Sequence, residues 1–306
     1  MTSPSPSDAA APSHVAAPSH MAAPSHVAAW AADLGGGVRV ALIQAGTFRT
    51  DAGAILGPVP RVLWPPEVFA ELDPQHRLRQ ACNCLLVEVP AGRVLVETGI
   101  GERYDPKMRR LRDVQGETVT AALSKAGFDP ATVDIVALSH LHYDHAGGLL
   151  EADGRPAFPR AAIVAQRLEW EFALGPNPRL QASYDQDSLR VVADAGAKGA
   201  VDGDGEIMPG VEVLRTGGHS GGHQVIIVRG PRRTLGFLGD LLMRPWSANP
   251  RWVTAMDDFP LTSVEVKGRL FARAVDEGWL VVLSHERQSP LGHLEREKGR
   301  FRFVPE

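Results

Sequence analysis

The sequence predicts an α/β fold in which two packed sheets carry helices on their outer faces, a four-layer αββα sandwich. Short runs rich in valine, isoleucine and leucine recur along the chain, and amphipathic helical segments lie between them. Several apolar runs stop at a glycine-rich turn, a histidine or an aspartate. Strands of mixed length with interspersed helices are typical of a layered α/β domain. The chain has 306 residues, 44% of them hydrophobic, which is enough for one domain with a full core.

The predicted elements follow each other along the chain without a visible internal repeat. Two of the strands are joined by Pro90-Ala91-Gly92, which is a hairpin signal. Glycine stops each predicted helix. The predicted strands are residues 38–43, 85–89, 93–97, 134–139, 161–165, 211–214, 225–228, 235–240 and 281–285. The predicted helices are residues 117–126, 166–174 and 263–277.

The N-terminal residues differ in composition from the rest of the chain. Ala-Ala-Pro-Ser-His followed by Val or Met occurs three times and places His14, His20 and His26 six residues apart. Proline at this spacing prevents a regular helix, and an Ala/Pro/Ser-rich segment cannot bury a core. We therefore predict a disordered tail over residues 1–33 and a folded domain over residues 34–306. Weak metal binding by the three histidines is the alternative to a simple solvated tail.

Charge and hydropathy exclude several classes of partner. The net charge of −4 with mixed signs provides no basic surface for nucleic acid. No apolar run approaches 18 residues, so no membrane-spanning helix is expected. The two cysteines, Cys82 and Cys84, are too close in sequence for an ordinary disulfide, and we predict reduced thiols. The tail has neither the basic start nor the apolar core of a secretory signal. A cytoplasmic protein with a small-molecule substrate is expected, and a homodimer stays open.

The segment His140-Leu141-His142-Tyr143-Asp144-His145 is the most informative in the chain. It holds four potential metal ligands within six residues, directly after the predicted strand 134–139. A strand that ends in a loop of ligands lets a rigid sheet present a metal site. His140 and His142 are two residues apart and face the same side of an extended segment. Imidazole and carboxylate suit zinc, iron or manganese.

Further candidate ligands stand where other predicted strands stop. His219 and His223 lie in the glycine-rich segment 217–223, between two apolar runs. Asp240 and His285 each close a predicted strand. Each of these residues alone is more often structural, but their common context at strand ends favours a shared metal site.

These residues resemble the metallo-β-lactamase-fold hydrolase superfamily, over roughly residues 38 to 304. The resemblance places the His-x-His-x-Asp-His motif on residues 140–145, the third-motif histidine on His219, the bridging aspartate on Asp240 and the last histidine on His285. It implies that His140, His142 and His219 hold one ion, that Asp144, His145 and His285 hold another, and that Asp240 bridges them. The implied cofactor is a pair of divalent ions, with zinc first and manganese or iron as alternatives.

The lactonase-like and esterase-like members with two metals are the most similar in pattern, including N-acyl-homoserine lactonases and phosphotriester hydrolases. The resemblance implies a metal-dependent hydrolase that cleaves a small ester, lactone or related acyl substrate through a metal-bridging hydroxide, with Asp144 passing the proton to the leaving group. Met243 stands where many lactonases have a tyrosine. Glu97 replaces the aspartate of a strand-end Asp-Thr-Gly motif and is expected to support a ligand, and His223 is expected beside the ligands.

Alternatives remain from the same fold and from other classes. They are a phosphotriester hydrolase, a thioesterase, a mononuclear-iron dioxygenase acting on thiols or persulfides, and a non-catalytic metal-binding protein. Two proline- and aromatic-rich stretches, residues 48–73 and 243–259, are expected to shape the pocket. The side chains predicted for its apolar wall are Phe48, Leu63, Trp64, Trp246, Trp252 and Phe259. Such a wall favours a neutral or weakly polar acyl substrate.

Overall fold

The computed structural model describes residues 31–196 and 198–306, and within them two seven-stranded sheets pack face to face. The predicted disorder of residues 1–30 lies outside the described residues. Ala32 and Asp33, which we assigned to the tail, belong to the first strand, because that strand pairs antiparallel with the next one. No helix among the described residues combines the length and apolarity that spanning a bilayer requires.

The two sheets are built from consecutive halves of the chain. The first sheet runs in the order β1 to β7 and the second in the order β14 to β8. The strands of the first sheet are β1 Ala32–Gly35, β2 Val38–Asp51, β3 Arg77–Val89, β4 Gly92–Val96, β5 Ile135–Ala137, β6 Ala162–Gln166 and β7 Lys198–Val201. Those of the second are β8 Gly205–Met208, β9 Val211–Arg215, β10 Gln224–Arg229, β11 Thr234–Phe237, β12 Leu280–Val282, β13 Leu291–Glu297 and β14 Arg300–Pro305.

The described residues also form eight α-helices. They are α1 Ala52–Leu56, α2 Pro66–Glu71, α3 Pro106–Leu111, α4 Val119–Lys125, α5 Tyr143–Ala146, α6 Arg167–Leu174, α7 Gln186–Asp194 and α8 Pro260–Asp276. Short 3₁₀ turns span Arg61–Leu63, Pro130–Thr132, Gly147–Leu149, Gly239–Leu241 and Pro245–Ala248. The predicted helices correspond to α4, α6 and α8, with ends that differ by a few residues.

Three hydrophobic clusters define the four layers. One cluster lies between the sheets and joins residues such as Val87 and Val94 to Ile226 and Phe237. A second packs α4, α6 and α7 on the outer face of the first sheet. A third packs α8 on the outer face of the second sheet. The prediction of an αββα sandwich is therefore confirmed, since alternate side chains of each sheet point into one of two apolar layers.

Two strands are much longer than the apolar runs that predicted them. β2 and β3 continue as a paired ribbon from Thr47–Ala81 to Asp51–Arg77, after a register shift beyond Gln44. This ribbon carries arginines that pair with Asp113 beside the sheet. A strand whose side chains are charged has no apolar period, so the sequence pattern could not show it.

The proline-rich stretch from residue 48 to 73 is ordered rather than structureless. It contains the end of β2, α1, a 3₁₀ turn and α2. Its buried side chains Ala52, Leu56, Val59 and Val68 form a small satellite cluster with Leu78 of β3, and Trp64, Trp246 and Trp252 pack against this cluster. Proline opens α2 at its first position, where its missing N–H costs no helical hydrogen bond.

The two cysteines are buried in β3 with free thiols, as predicted. Burial raises the pKa of Cys82 and of Cys84 well above 9.0. Both thiols therefore stay protonated near neutral pH and are poor nucleophiles and metal ligands.

Candidate metal centre

All seven predicted ligands converge at one end of the sandwich, where strands of both sheets stop. His140 and His142 lie in the loop after β5, and Asp144 and His145 lie in the single turn of α5. His219 lies in the loop between β9 and β10, Asp240 in the 3₁₀ turn after β11, and His285 after β12. Each sheet thus supplies part of the cluster.

The ligand atoms form three groups in which every atom lies within 4.8 Å of the others. The groups are His140, His142 and His219; His140, His145 and Asp240; and Asp144, His145 and His285. The first and third groups reproduce the two ligand sets that the family resemblance implied. The second contains Asp240 and joins the other two through shared histidines.

Asp240 faces both outer groups with different oxygens. Its Oδ1 lies 3.2 Å from Nε2 of His145 and 3.0 Å from Nε2 of His285. Its Oδ2 lies 3.5 Å from Nε2 of His219. Gly239 makes this approach feasible, because its φ is 54° and a Cβ there would lie 2.6 Å from Nε2 of His223. The carboxylate is therefore positioned between the two histidine sets.

The contacts among the imidazoles suit a bound cation. Nδ1 of His142 lies 3.0 Å from Nε2 of His140 and 3.2 Å from Nε2 of His219, so the nitrogens point at each other. Burial and the neighbouring imidazoles hold the pKa of His140 and of His142 well below 6.5. Neutral imidazoles with converging lone pairs are the form that binds metal ions.

The other side of the cluster is rich in negative charge. Burial alone would lower the pKa of His145, but the nearby carboxylates of Asp240, Glu97 and Asp144 raise it well above 6.5. Nε2 of His145 is buried and faces two carboxylates, Oδ1 of Asp240 at 3.2 Å and Oδ2 of Asp144 at 3.9 Å. A buried imidazole nitrogen that converges with several carboxylates offers the donor set of a divalent cation.

Hydrogen bonds from outside the cluster fix the orientation of three imidazole rings. Nδ1 of His219 lies 2.8 Å from Oδ1 of Asp257, and Nδ1 of His285 lies 2.7 Å from the carbonyl oxygen of Ala81. Oγ of Ser139 lies 2.9 Å from Nδ1 of His140. Such partners set the tautomer and direction of a metal-binding histidine.

Glu97 occupies the supporting position that the sequence predicted for it. Its Oε1 accepts from the backbone N–H of Ser139 at 3.0 Å, and its Oε2 lies 3.5 Å from Nδ1 of His145. Its φ is 65°, in the left-handed region that a side chain other than glycine rarely adopts. Strained backbone of this kind persists where the surrounding structure imposes it, as in functional sites.

Glu169 of α6 is a central supporting residue that sequence reasoning missed. Its Oε1 accepts from the backbone N–H of Leu141 at 3.0 Å and from the Tyr184 hydroxyl at 3.0 Å. Its Oε2 accepts from the Ser220 hydroxyl at 2.6 Å and from the backbone N–H of Gly222 at 3.0 Å. The side chain is fully buried. One carboxylate therefore connects the loop of His140 and His142 with the loop of His219.

His223 lies beside the three ligand groups and belongs to none of them. Its Nδ1 is 2.7 Å from the Thr216 hydroxyl, and burial lowers its pKa to about 3. It stays neutral in the physiological range. This placement agrees with the expectation that His219, rather than His223, fills the third-motif position.

A pocket of about 310 Å³ opens onto the cluster. Its lining includes Phe48, as predicted. It also includes Met243, at the position where many lactonases have a tyrosine. The other lining residues are Thr50, Asp51, Ala54, Ile55, Arg112, His142, Tyr143, Asp144, Ala182, Ser183, His219, Asp240, Met256 and His285.

The prediction of a tryptophan-rich wall is wrong. Trp64, Trp246 and Trp252 pack in the satellite cluster, and Leu63 is 61% exposed. Phe259 lines a different cavity beside α6. Trp246, Trp252 and Phe259 follow Asp240 closely in the chain, but this position could not indicate which way their side chains face.

Comparison with known proteins agrees with this geometry. Residues 77–285 match the profile of the Metallo-beta-lactamase superfamily. The chain belongs to this superfamily. The matched range contains all seven candidate ligands of this superfamily member.

Two curated lactonases are similar to this chain. The N-acyl homoserine lactonase of Bacillus cereus is 30% identical over 179 residues, which are 53% of this chain and 63% of that protein. The N-acyl homoserine lactonase AttM of Agrobacterium fabrum is 37% identical over 113 residues, which are 34% of this chain and 39% of that protein. The chain therefore spans less than two thirds of the length of these relatives.

Solved structures share the fold over most of the chain. A probable metal-dependent hydrolase from Staphylococcus aureus superposes with a TM-score of 0.80 at 24% identity, over 90% of this chain and 99% of that one. AidC, a dizinc quorum-quenching lactonase in complex with a product, superposes with a TM-score of 0.74 at 20% identity, over 90% of this chain and 96% of that one.

Proposed function

We propose that this protein is a metal-dependent hydrolase that cleaves a small ester or lactone. The position of Asp240 carries the proposal, because one carboxylate faces both histidine groups with separate oxygens. A shared carboxylate between two buried ligand sets is what a binuclear hydrolytic centre requires. The similarity to lactonases from Bacillus cereus and Agrobacterium fabrum supports the choice of a lactone or ester bond.

The donor set fits two divalent ions, and we propose zinc. His140, His142 and His219 would hold one ion, and Asp144, His145 and His285 the other, with Asp240 shared. Two zinc ions bound there would supply a hydroxide near neutral pH and stabilise an oxyanion. Manganese and iron accept the same nitrogen and oxygen donors and are the alternatives.

The protein's own residues bind and orient the substrate and move the proton. Asp144 lines the pocket with its side chain 11% exposed, whereas the other candidate ligands are more deeply buried. It is therefore the carboxylate of the set that can take a proton from the attacking nucleophile and deliver it to the leaving oxygen. Phe48, Ile55 and Met243 supply an apolar wall for the acyl part of a small substrate.

The free, buried thiols of Cys82 and Cys84 suit a reducing compartment. We accordingly propose the cytoplasm as the place of action.

A panel of zinc-loaded enzyme with lactones, aryl esters, thioesters and phosphotriesters tests the proposed function. We expect a lactone or an ester to give the highest kcat/KM. Faster turnover of a phosphotriester or a thioester would instead indicate a phosphotriester hydrolase or a thioesterase. One iron per chain together with oxygen uptake on a thiol substrate would instead indicate a dioxygenase.

Asp240→Ala tests the shared carboxylate directly. Because Asp240 faces both histidine groups, we expect zinc content to fall from about two ions per chain to one or none, with nearly complete loss of activity. Cys84→Ser is the matched control, since Cys84 is a buried residue of the same fold without a polar contact to the cluster. Elemental analysis of both variants measures the outcome, and equal losses would refute the role assigned to Asp240.

A further inference from the structure

The wall of the metal pocket contains one side chain with a fixed positive charge, Arg112. Among the described residues that line the pocket it is the only arginine or lysine. It follows α3 in a segment rich in basic residues, where nothing in the sequence distinguishes it from the exposed Arg110. Its position in the pocket is therefore a finding of the structure.

Two aromatic rings hold the guanidinium of Arg112 in place. Its Nε donates to the Tyr104 hydroxyl at 3.1 Å, and its Cζ lies 4.6 Å from the centre of the Tyr143 ring. The two tyrosine rings stack on each other with centres 4.4 Å apart. Tyr143 lies between the ligands His142 and Asp144, so this clamp fixes Arg112 relative to the metal centre.

The backbone around Arg112 is fixed as well. Its carbonyl oxygen accepts from the backbone N–H of Arg49 at 2.6 Å. The next residue, Asp113, forms ion pairs with Arg49 of β2 and Arg79 of β3. The first sheet thus holds the backbone at Arg112 and the tyrosines hold its guanidinium, so little conformational entropy is lost when the guanidinium binds a partner.

The outer edge of this guanidinium has no partner among the described residues. The hydrogen bonds and ion pairs of those residues include no acceptor for its Nη1 or Nη2. Arg244 shows what a structural arginine of this protein looks like: it pairs with Glu71 at 2.7 and 2.8 Å and with Glu286 at 2.9 Å. Arg112 is equally well positioned but keeps its fork of N–H donors free at the pocket.

We infer that Arg112 binds a carboxylate of the substrate, away from the bond that is cleaved. This inference rests on the proposed lactone or ester hydrolysis and narrows it to substrates that carry a carboxylate. Two parallel N–H groups on a planar fork match the two oxygens of a carboxylate, and the pairing is charge-assisted. Apart from the candidate ligands, the pocket wall has one other charged residue, Asp51. Its Oδ1 accepts from the backbone N–H of Ala54 and so caps α1.

A pair of lactones tests the inference: γ-butyrolactone and 5-oxotetrahydrofuran-2-carboxylate, which is the same ring with a carboxylate. For Arg112→Met, we expect KM for the carboxylated lactone to rise about 10- to 100-fold, the loss typical of a hydrogen bond to a charged group. KM for γ-butyrolactone should change less than about threefold, because that ring offers no second anion. Arg112→Lys should recover part of the loss, since it keeps the charge without the fork.

Arg110→Met is the matched control, because Arg110 is the exposed arginine two residues earlier in α3. It should leave both lactones unaffected. An equal rise in KM for both lactones in Arg112→Met would overturn the inference and leave the arginine a structural partner of the tyrosines. A loss confined to a neutral N-acyl homoserine lactone would also overturn it, since the guanidinium would then recognise an amide oxygen.

A binding measurement separates failure of this inference from failure of the proposed function. If the zinc-loaded protein opens neither lactone, the proposed function fails. Calorimetry with 2-hydroxyglutarate, the ring-opened form of the carboxylated lactone, then decides about Arg112 in the same metal state. Binding that is about tenfold or more weaker in Arg112→Met than in the unmodified protein supports the carboxylate site, and equal binding overturns it.

Discussion

Glu169→Gln tests whether one buried carboxylate holds the two ligand loops together. Each oxygen of Glu169 accepts from one backbone N–H and one hydroxyl. Glutamine keeps one of these oxygens, and its NH₂ group must then face the other pair of donors. The hydroxyl of that pair can turn and accept, but the backbone N–H of Leu141 or of Gly222 is left facing another donor.

The expected loss follows from this unavoidable mismatch. A hydrogen bond to a charged group contributes about 1.5–3 kcal/mol, and a buried donor without a partner costs about 1–3 kcal/mol. Removing a buried charge offsets part of this. We therefore expect the free energy of unfolding to fall by about 2–4 kcal/mol. Zinc affinity should fall about 10- to 100-fold, because Leu141 lies between His140 and His142.

Urea denaturation and zinc titration against a chelator measure the two effects. Glu171→Gln is the control, since Glu171 lies in the same helix with a 52% exposed side chain that pairs with the exposed Arg167. It should lower the free energy of unfolding by less than about 0.5 kcal/mol. A loss below about 1 kcal/mol in Glu169→Gln, with unchanged zinc affinity, would refute the role assigned to Glu169.

Two further predictions follow from buried charged groups near the site. Asp257→Asn removes the charge that faces Nδ1 of His219, so the zinc dissociation constant should rise about tenfold in a chelator titration, whereas the exposed Asp276→Asn should leave it unchanged. Burial lowers the pKa of Lys267 from 10.5 to about 8, so between these pH values the unfolded chain binds the extra proton and the free energy of unfolding should rise with pH, by up to roughly 3 kcal/mol. Urea denaturation at pH 8 and pH 10 should show this rise in the unmodified protein and a smaller one in Lys267→Met; equal slopes would contradict it.

The sequence was sufficient for the sandwich and the ligand cluster because both depend on short local patterns. Apolar runs mark the central strands, and the candidate ligands lie within a few residues of the ends of such runs. We did not predict β13 and β14, because Gly292 and Leu294 are their only buried residues and the segment has no apolar run like those of the central strands. We did not predict the outer halves of β2 and β3 either. Their sequences contain arginines that pair with Asp113, so these segments have no continuous apolar run.

The residues around the ligands could not be predicted because their partners are distant in the chain. Glu169 binds Leu141 across 28 positions and Ser220 across 51. A glutamate in an amphipathic helix usually faces solvent, and no local pattern shows that this one is buried. Arg112 could not be predicted either, because it lies in a run of basic residues. Only the tertiary structure shows which of these arginines reaches the pocket.

The division of the chain between the two sheets has a consequence for assembly. The first sheet ends at Val201 and the second begins at Gly205, so a cut between them would yield two fragments. Every one of the three ligand groups takes residues from both fragments. Zinc would therefore act as a crosslink between the halves, and reassociation of the separated fragments would depend on the free zinc concentration. At a zinc concentration 1,000 times the dissociation constant, one such ion would add about 4 kcal/mol to their association.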